Sequence, residues 1–484
     1  MDVSVFGIIF KKTLTTIKFN MKKIIFGIVV LLISNLGLVA QTIDFESINK
    51  QLINLGEVSE KNEDYSNYSG LKDLLKDVEI VMLGEQSHGE GTTYETKIKL
   101  IKYLHEELGF DILAFESGFY DVDKAWQMIE EGEHVRDAMG KSIFYIWSTT
   151  KDLIPLADYL EKTKSSNKPL KLYGFDSQFS AKYSKGQFLD DLGEYIRKVN
   201  PSILASNNWK RFSERIELLI TFEFKKIKKN NPEQDLAFIQ NLIDEINKIK
   251  PDSESKFWIQ TLKSTQAYLS DASTKTEFRD KQMADNLIWI KEQNPNSKII
   301  CWGATSHFLY NSTKVRMKSP IIQLLGGNSY KKYIMMGHYV KEHYGEKVFT
   351  IGFTAFQGKY GLDYRKKIKP AKEGTLEFLL SQSEYDNFLV PLKKVNLNNY
   401  ISRPLGNYYM KNDIGEVMYA VIFNRNMIPP KNDFIFHSKI YPENKKIAKW
   451  AEENKLNAQK REKEMQEKKI REEKEAANKK KVRT

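Results

Sequence analysis

Short runs of apolar and β-branched residues alternate along the chain with longer stretches of helical periodicity, the pattern of an α/β domain with a largely parallel sheet. The pattern predicts strands at Val78 to Leu83, Asp111 to Phe115, Leu170 to Gly174, Lys298 to Trp302, Val348 to Phe353 and Val417 to Phe423. Most are continuously apolar, as strands buried on both faces are. Between Ala181 and Asn296 the strand signals fade. Helical ones dominate there, at Trp209 to Lys229, Gln234 to Lys250 and Ser255 to Leu269, so residues 181–296 read as a helical subdomain inserted into the sheet order. The first part of the α/β domain is then expected over 41–180 and the second over 297–440.

The ends of the chain have a different character. Met21-Lys22-Lys23 precedes the apolar run Ile24 to Ile33 and a polar break at Ser34-Asn35, which reads as a secretory signal cleaved near Ala40. Translation is expected to start at Met21, and no integral membrane segment is expected after cleavage. From about Lys445 (in the 441–484 segment) charged residues crowd together without an apolar face, predicting a solvated helix or a disordered tail.

Charge follows the same division. Of the formal +12, residues 1–40 carry +4 and residues 445–484 carry +7, leaving the body at +1. A near-neutral body gives no electrostatic footprint for nucleic acid. The single cysteine, Cys301, excludes an internal disulfide framework and a cysteine-based zinc site.

The candidate chemistry lies in one βαβ unit. The strand ending in Leu83 runs into Gly84-Glu85-Gln86-Ser87-His88-Gly89-Glu90-Gly91-Thr92, whose glycines are expected to turn the backbone sharply. A helix follows, with a capping-box pattern at Thr92 and Glu95, an apolar stripe at Ile98, Ile101, His105 and Leu108, and Gly109 as its C-cap. The next strand ends in Glu116-Ser117-Gly118. Parallel strands would deliver Glu85, His88 and Glu116 to one carboxyl edge of the sheet, the edge where α/β folds bind ligands. Phe175-Asp176 and Gly303-Ala304-Thr305-Ser306-His307 reach the same edge from two further strands.

His88 precedes a helix N-terminus, whose partial charge favours a neutral ring able to accept a proton from water, while a carboxylate from Glu85 or Glu116 opposes that effect. Lys97 sits on a row with Ile101, Leu104 and Leu108, unusual for a cation, and is read either as an oxyanion-stabilising group or as a lysine whose stem lies along the stripe. His105 is expected to be packed rather than catalytic. His134, His338, His343 and His437 are expected to be structural or surface residues. GxSxG, P-loop, HExxH and dinucleotide fingerprints are absent from the sequence.

The stretches GEQSHGEGTTYETK (84–97), ILAFES (112–117), YGFDSQ (173–178), RDKQMADNLIW (279–289) and WGATSH (302–307) together resemble the erythromycin esterase family, over roughly residues 75–425. The resemblance implies an α/β core with added helices and hydrolysis of a cyclic or linear ester by water. It assigns the general-base role to His88 and places Glu85, Glu116 and His307 in the same pocket. Two positions depart from the family pattern. Ala304 stands where a second histidine is usual, and Lys97 where arginine is, which keeps charge without the planar fork.

The resulting expectation is an exported hydrolase of a small-molecule ester or lactone. His88 activates water, Glu85 and Glu116 orient and tune it, His307 and Lys97 polarise or protonate the substrate, and Asp176 and Arg279 shape the pocket. No cofactor is required in this reading. The alternatives are a divalent-metal hydrolase using the same side chains, or a catalytically silent envelope protein that binds a ligand in the same crevice.

Overall fold

The computed structural model describes residues 45–456 apart from 59–63, 230–231, 275–277, 318–328, 363–364, 396, 398–399, 412–413, 450–451 and 454–455. The expected signal segment and most of the charged tail lie outside the described residues. By contacts the chain divides into residues 1–48 and 49–484. Of the first unit only 45–48 are described, the beginning of the short helix Phe45–Asn49.

In the second unit, among the described residues, nine strands make one sheet. In chain order they are β1 (Ile53–Asn54), β2 (Ile80–Glu85), β3 (Phe110–Gly118), β4 (Lys171–Asp176), β5 (Lys298–Ala304), β6 (Val348–Tyr360), β7 (Lys366–Ile368), β8 (Asn387–Pro391) and, after a separate hairpin of β9 (Ser402–Leu405) and β10 (Tyr408–Met410), β11 (Ala420–Met427). The spatial order is β1-β8-β11-β6-β2-β5-β3-β4, with β7 paired to β6. From β11 to β4 every pairing is parallel. The antiparallel members β1, β8 and β7 lie at one end or against the long β6. The sheet is therefore mostly parallel and flanked by helices, as the sequence pattern predicts.

Alternate residues of the central strands enter separate cores. Val81, Leu83, Leu113, Phe115, Ile300 and Trp302 pack on one face, with Ile98, Ile101 and Leu104 of the helix Gly91–Leu108. Ile80, Met82, Ile112, Ala114, Ile299 and Cys301 pack on the other, with Met283, Leu287 and Ile290 of the helix Arg279–Gln293 and with Val340. A strand's side chains alternate between faces, so covering both faces requires an unbroken apolar run. The helices between β4 and Arg279 join the first of these cores through Phe188, Phe212, Leu242 and Trp258.

Several local features differ from expectation. The helix at 91 starts one residue before Thr92, and the Thr92 hydroxyl donates to the Asn426 carbonyl (3.2 Å) instead of forming a capping box. Of the glycines expected to turn the backbone there, Gly89 alone has a positive φ, 85°. Gly109 is the left-handed C-cap, as expected. The helix expected over Trp209 to Lys229 is two, Asn207–Ile220 and Phe224–Lys229, broken at Phe222, which has φ 57°. The start of the charged tail buries Ile447.

Candidate active site

The parallel block places the ends of β2, β3, β4 and β5 at one edge. Glu85, Asp176 and Ala304 are the last residues of their strands, and Glu85 lies in register with Ala304. The β3–β4 register slips between Phe115 and Gly118, so Glu116 stands in an irregularity of the kind that re-aims a side chain.

Two groups of side chains form at this edge. In the first, Glu85 is completely buried and accepts from three donors. His88 Nδ1 lies 2.5 Å from Glu85 Oε1, Trp147 Nε1 donates to both carboxylate oxygens at 3.0 Å, and Lys97 Nζ donates to Oε2 at 3.3 Å. The His88 ring meets Trp147 edge-on at 5.7 Å. Its side chain is 45% exposed, and among the described residues no group bonds its second ring nitrogen. Burial tends to lower the His88 pKa, but the Glu85 hydrogen bond and charge, with Glu116 behind them, raise it above the ordinary histidine value. Lys97 is buried too, its ammonium 4.6 Å from the Trp302 ring centroid, and burial depresses its pKa against the pull of Glu85.

In the second group, Glu116 Oε2 accepts from the Ala304 N–H (2.8 Å), and Oε1 from Arg279 (3.2 Å), with His307 Nε2 at 3.3 Å. Arg279 also binds Asp176 through Nε (3.0 Å) and a terminal nitrogen (2.6 Å). His307 Nδ1 lies 2.8 Å from Asp280 Oδ1. Burial would lower the His307 pKa, yet the Asp280 and Glu116 charges push it up to about 9. Burial would raise that of Glu116, but His307, Arg279 and His88 hold it below the usual carboxylate range. Glu116 is an anion in a ring of donors and His307 a cation between two acids at neutral pH.

All seven residues singled out from sequence thus lie at this edge, in two groups rather than one. Glu85 serves His88, whereas Glu116 serves His307 and Arg279. Sequence reasoning missed Trp147 and Asp280. Asp280 adjoins Arg279 in a segment that was read, while Trp147 lies in a connection after β3 with no local signal. Of the histidines set aside, His105 is half-buried between the Tyr159 hydroxyl (2.6 Å) and the Lys168 carbonyl (3.0 Å).

A cavity of about 630 Å³ is lined in part by chain neighbours of the site residues. Three of its walls are neighbours of site residues. Tyr145 and Thr149 flank Trp147, Gln178 follows Asp176, and Leu362 follows Gly361, whose N–H donates to the Gly89 carbonyl at 2.8 Å. Phe144, Tyr145, Phe222 and Phe434 give it an aromatic part, and Lys185, Glu443 and Lys446 a charged one. Among the described residues no three of His, Cys, Asp and Glu are placed to hold a metal ion, and no helix is long and apolar enough to cross a membrane.

The family model described as erythromycin esterase matches residues 105–426, a span containing Glu116, Asp176, Arg279 and His307, with Glu85, His88 and Lys97 in the preceding strand and helix. A putative hydrolase of Bacillus subtilis (strain 168), YbfO, is 31% identical over 348 residues, covering 65% of this chain and 74% of the relative. Erythromycin esterase type II of Escherichia coli is 19% identical over 375 residues, covering 70% and 86%. Among solved structures, a succinoglycan biosynthesis protein aligns with TM-score 0.64 at 18% identity, over 80% of this chain and 97% of the other. A mutant of the erythromycin esterase EreC in its open conformation aligns with TM-score 0.58 at 16% identity, over 77% and 96%. The structural likenesses establish a shared fold, and the family match extends over most of the sheet, so this chain belongs to the erythromycin esterase family.

Proposed function

We propose that the protein is an exported carboxylic ester hydrolase in which His88 is the general base. The observation that carries this reading is the Glu85–His88 pair: the 2.5 Å contact fixes Nδ1 as the protonated nitrogen and leaves the other nitrogen open to solvent. In the neutral ring that nitrogen takes a proton from water as the water oxygen bonds to the ester carbonyl carbon. The C=O electron pair moves onto oxygen, and collapse of the tetrahedral adduct expels the alkoxide, which takes the proton back from His88.

The developing oxyanion needs a cation, and in this reading the Glu116–His307–Arg279 group at the neighbouring strand ends supplies an imidazolium and a guanidinium. Lys97 has another part. Its burial under Glu85 makes it a positioning residue, which holds the carboxylate that holds the ring. The aromatic part of the cavity lined by Phe144 and Tyr145 suits the apolar body of an ester or lactone. Ala304 presents its backbone N–H to Glu116 but offers no second imidazole, so the imidazolium contributed at this strand end is that of His307.

The test is a panel of linear esters and lactones, macrolides included, assayed with purified protein in ¹⁸O-labelled water. Hydrolysis with one labelled oxygen in the released acid and none in the alcohol supports attack of water at the acyl carbon, as this reading requires. No turnover on any member, with a ligand nevertheless bound, favours a binding protein. Activity lost to chelators and restored by a divalent ion favours the metal reading. Export is tested by fractionating cells that express the full chain, the mature protein being expected outside the cytoplasm with a new terminus near residue 40.

A further inference from the structure

A second cavity, also about 630 Å³, lies away from this edge. It is built against the far end of the helix Arg279–Gln293: Trp289 and Gln293 line it, whereas Arg279 and Asp280 of the active-site edge begin the same helix. Fifteen residues at 1.5 Å each separate the helix ends by roughly 20 Å. Nothing in the proposed hydrolysis uses this cavity.

Its wall is aromatic. Tyr195 stacks on Trp258 (centroids 5.9 Å apart, planes at 24°), and Phe257 meets Trp258 at 5.4 Å and 67°. Tyr120 and Trp289 complete the lining. Tyr195 carries a buried hydroxyl with no hydrogen-bond partner among the described residues. The charged groups are acidic in excess: Asp123, Asp191, Glu194 and Glu254 against Lys124 and Lys198. Both ammonium groups are already engaged, Lys124 with Asp191 (2.8 Å) and Lys198 with Glu254 (3.1 Å). An incoming anion would find no free cation among them. Among the described residues Asp123 makes no ion pair: the neighbouring Lys124 is engaged with Asp191, and Asp123 Oδ2 accepts from the Gln127 amide at 2.7 Å.

We propose that this cavity binds a small organic cation, an ammonium group on a skeleton of one or two rings, with the charge beside Asp123 and the skeleton against the aromatic wall. Ring faces are electron-rich and attract cations, and a carboxylate without a cationic partner adds to the attraction. A neutral sugar of the same size would gain the ring contact without the charge term. This site is independent of the ester-hydrolysis assignment and stands or falls separately.

The test uses the full-length protein and benzyltrimethylammonium chloride, titrated by calorimetry and by the fluorescence of the cavity tryptophans. Saturable binding in the millimolar range or tighter is expected, with benzyl alcohol and methyl glucoside at least about tenfold weaker. Asp123→Asn, nearly isosteric, should weaken the cation about tenfold while its circular dichroism and ester turnover are unchanged. Glu254→Gln, at the exposed start of its helix, should weaken it less and serves if the first variant misfolds. Failure to saturate, equal affinity for benzyl alcohol, tighter binding of the glucoside, or an unchanged affinity in both variants would overturn the proposal.

Discussion

Lys97 and Glu116 grip opposite sides of one peptide group. The Lys97 ammonium donates to the Gly303 carbonyl (3.1 Å), and the N–H of the same peptide, from Ala304, donates to Glu116 (2.8 Å). Through that bond the His88 group and the His307 group are fixed relative to each other by the end of β5. The separation that general base and oxyanion stabiliser need is thereby set by backbone rather than by flexible side chains.

This arrangement makes Gly303 sensitive. A methyl group there would come within 2.8 Å of Glu116 Oε2 and of the Phe308 ring. Gly303→Ala is expected to cost about 1–3 kcal/mol of stability, as overpacking does. Ester turnover should fall more than the stability loss explains, because Glu116 must move. Urea denaturation beside kinetics checks both; a variant with wild-type kcat would show that the spacing is unimportant.

The Glu85–Lys97 pair gives a second prediction. Glu85→Gln leaves a buried ammonium facing neutral oxygens, those of Gly303 and of the new amide, in place of its carboxylate, and breaking a buried pair in this way typically costs about 3–5 kcal/mol. Lys97→Met is expected to cost less, since Glu85 keeps His88 and Trp147. The double variant should recover most of the stability lost by Glu85→Gln and none of the activity. Equal stability of Glu85→Gln and wild type in urea would contradict the account.

Much of this edge could be read from the chain before any coordinates. The apolar cores of six sheet strands and the emergence of Glu85, Glu116, Asp176 and His307 at their ends follow from alternation of strand and helix patterns, which forces parallel pairing. Strand ends were harder. β2, β4 and β5 each run two residues past the predicted end, into Gly84-Glu85, Phe175-Asp176 and Gly303-Ala304, because ladder hydrogen bonds from neighbouring strands hold polar or small residues extended. β8 escaped notice since Phe388 to Val390 is a short run with no alternating neighbour. The break at Phe222 carries no glycine or proline, and tertiary packing decides it. The division of the acids between the two imidazoles, with Trp147 and Asp280 as added partners, depends on side-chain directions that spacing does not encode.

His307 should make stability pH-dependent. Its folded pKa of about 9 lies above the ordinary value of 6.5, so the folded state holds a proton that the unfolded chain releases between them. The associated stabilisation, on the order of 3 kcal/mol, is fully present below pH 6.5 and lost as pH rises through about 9. Melting temperatures of wild type and His307→Gln should converge over that window. Parallel pH curves for the two would refute the assignment.

Glu90 adds a pH dependence of the same sign at lower pH. It is buried, burial and the nearby Glu85 push its pKa up to about 8, and its Oε1 has no partner among the described residues. The unfolded chain ionises near pH 4.5 while the folded state keeps the proton to about 8, so stability falls as pH rises through that interval. Glu90→Gln, which cannot ionise, is expected to be more stable than wild type at pH 8 and close to it at pH 4.5, as read by urea midpoints. A destabilised variant at pH 8 would show that the carboxylate is needed in the fold.

The central claim is that His88, held by Glu85, takes the proton from water. Its side chain is 45% exposed, so His88→Ala should fold with little change in melting temperature. The direct measurement is kcat/KM for His88→Ala on the best ester of the panel, with and without added imidazole. The account predicts a fall of about 10²-fold or more, partly restored by imidazole, with the wild-type limb at low pH displaced above the ordinary histidine range. Wild-type turnover in the folded variant would contradict it.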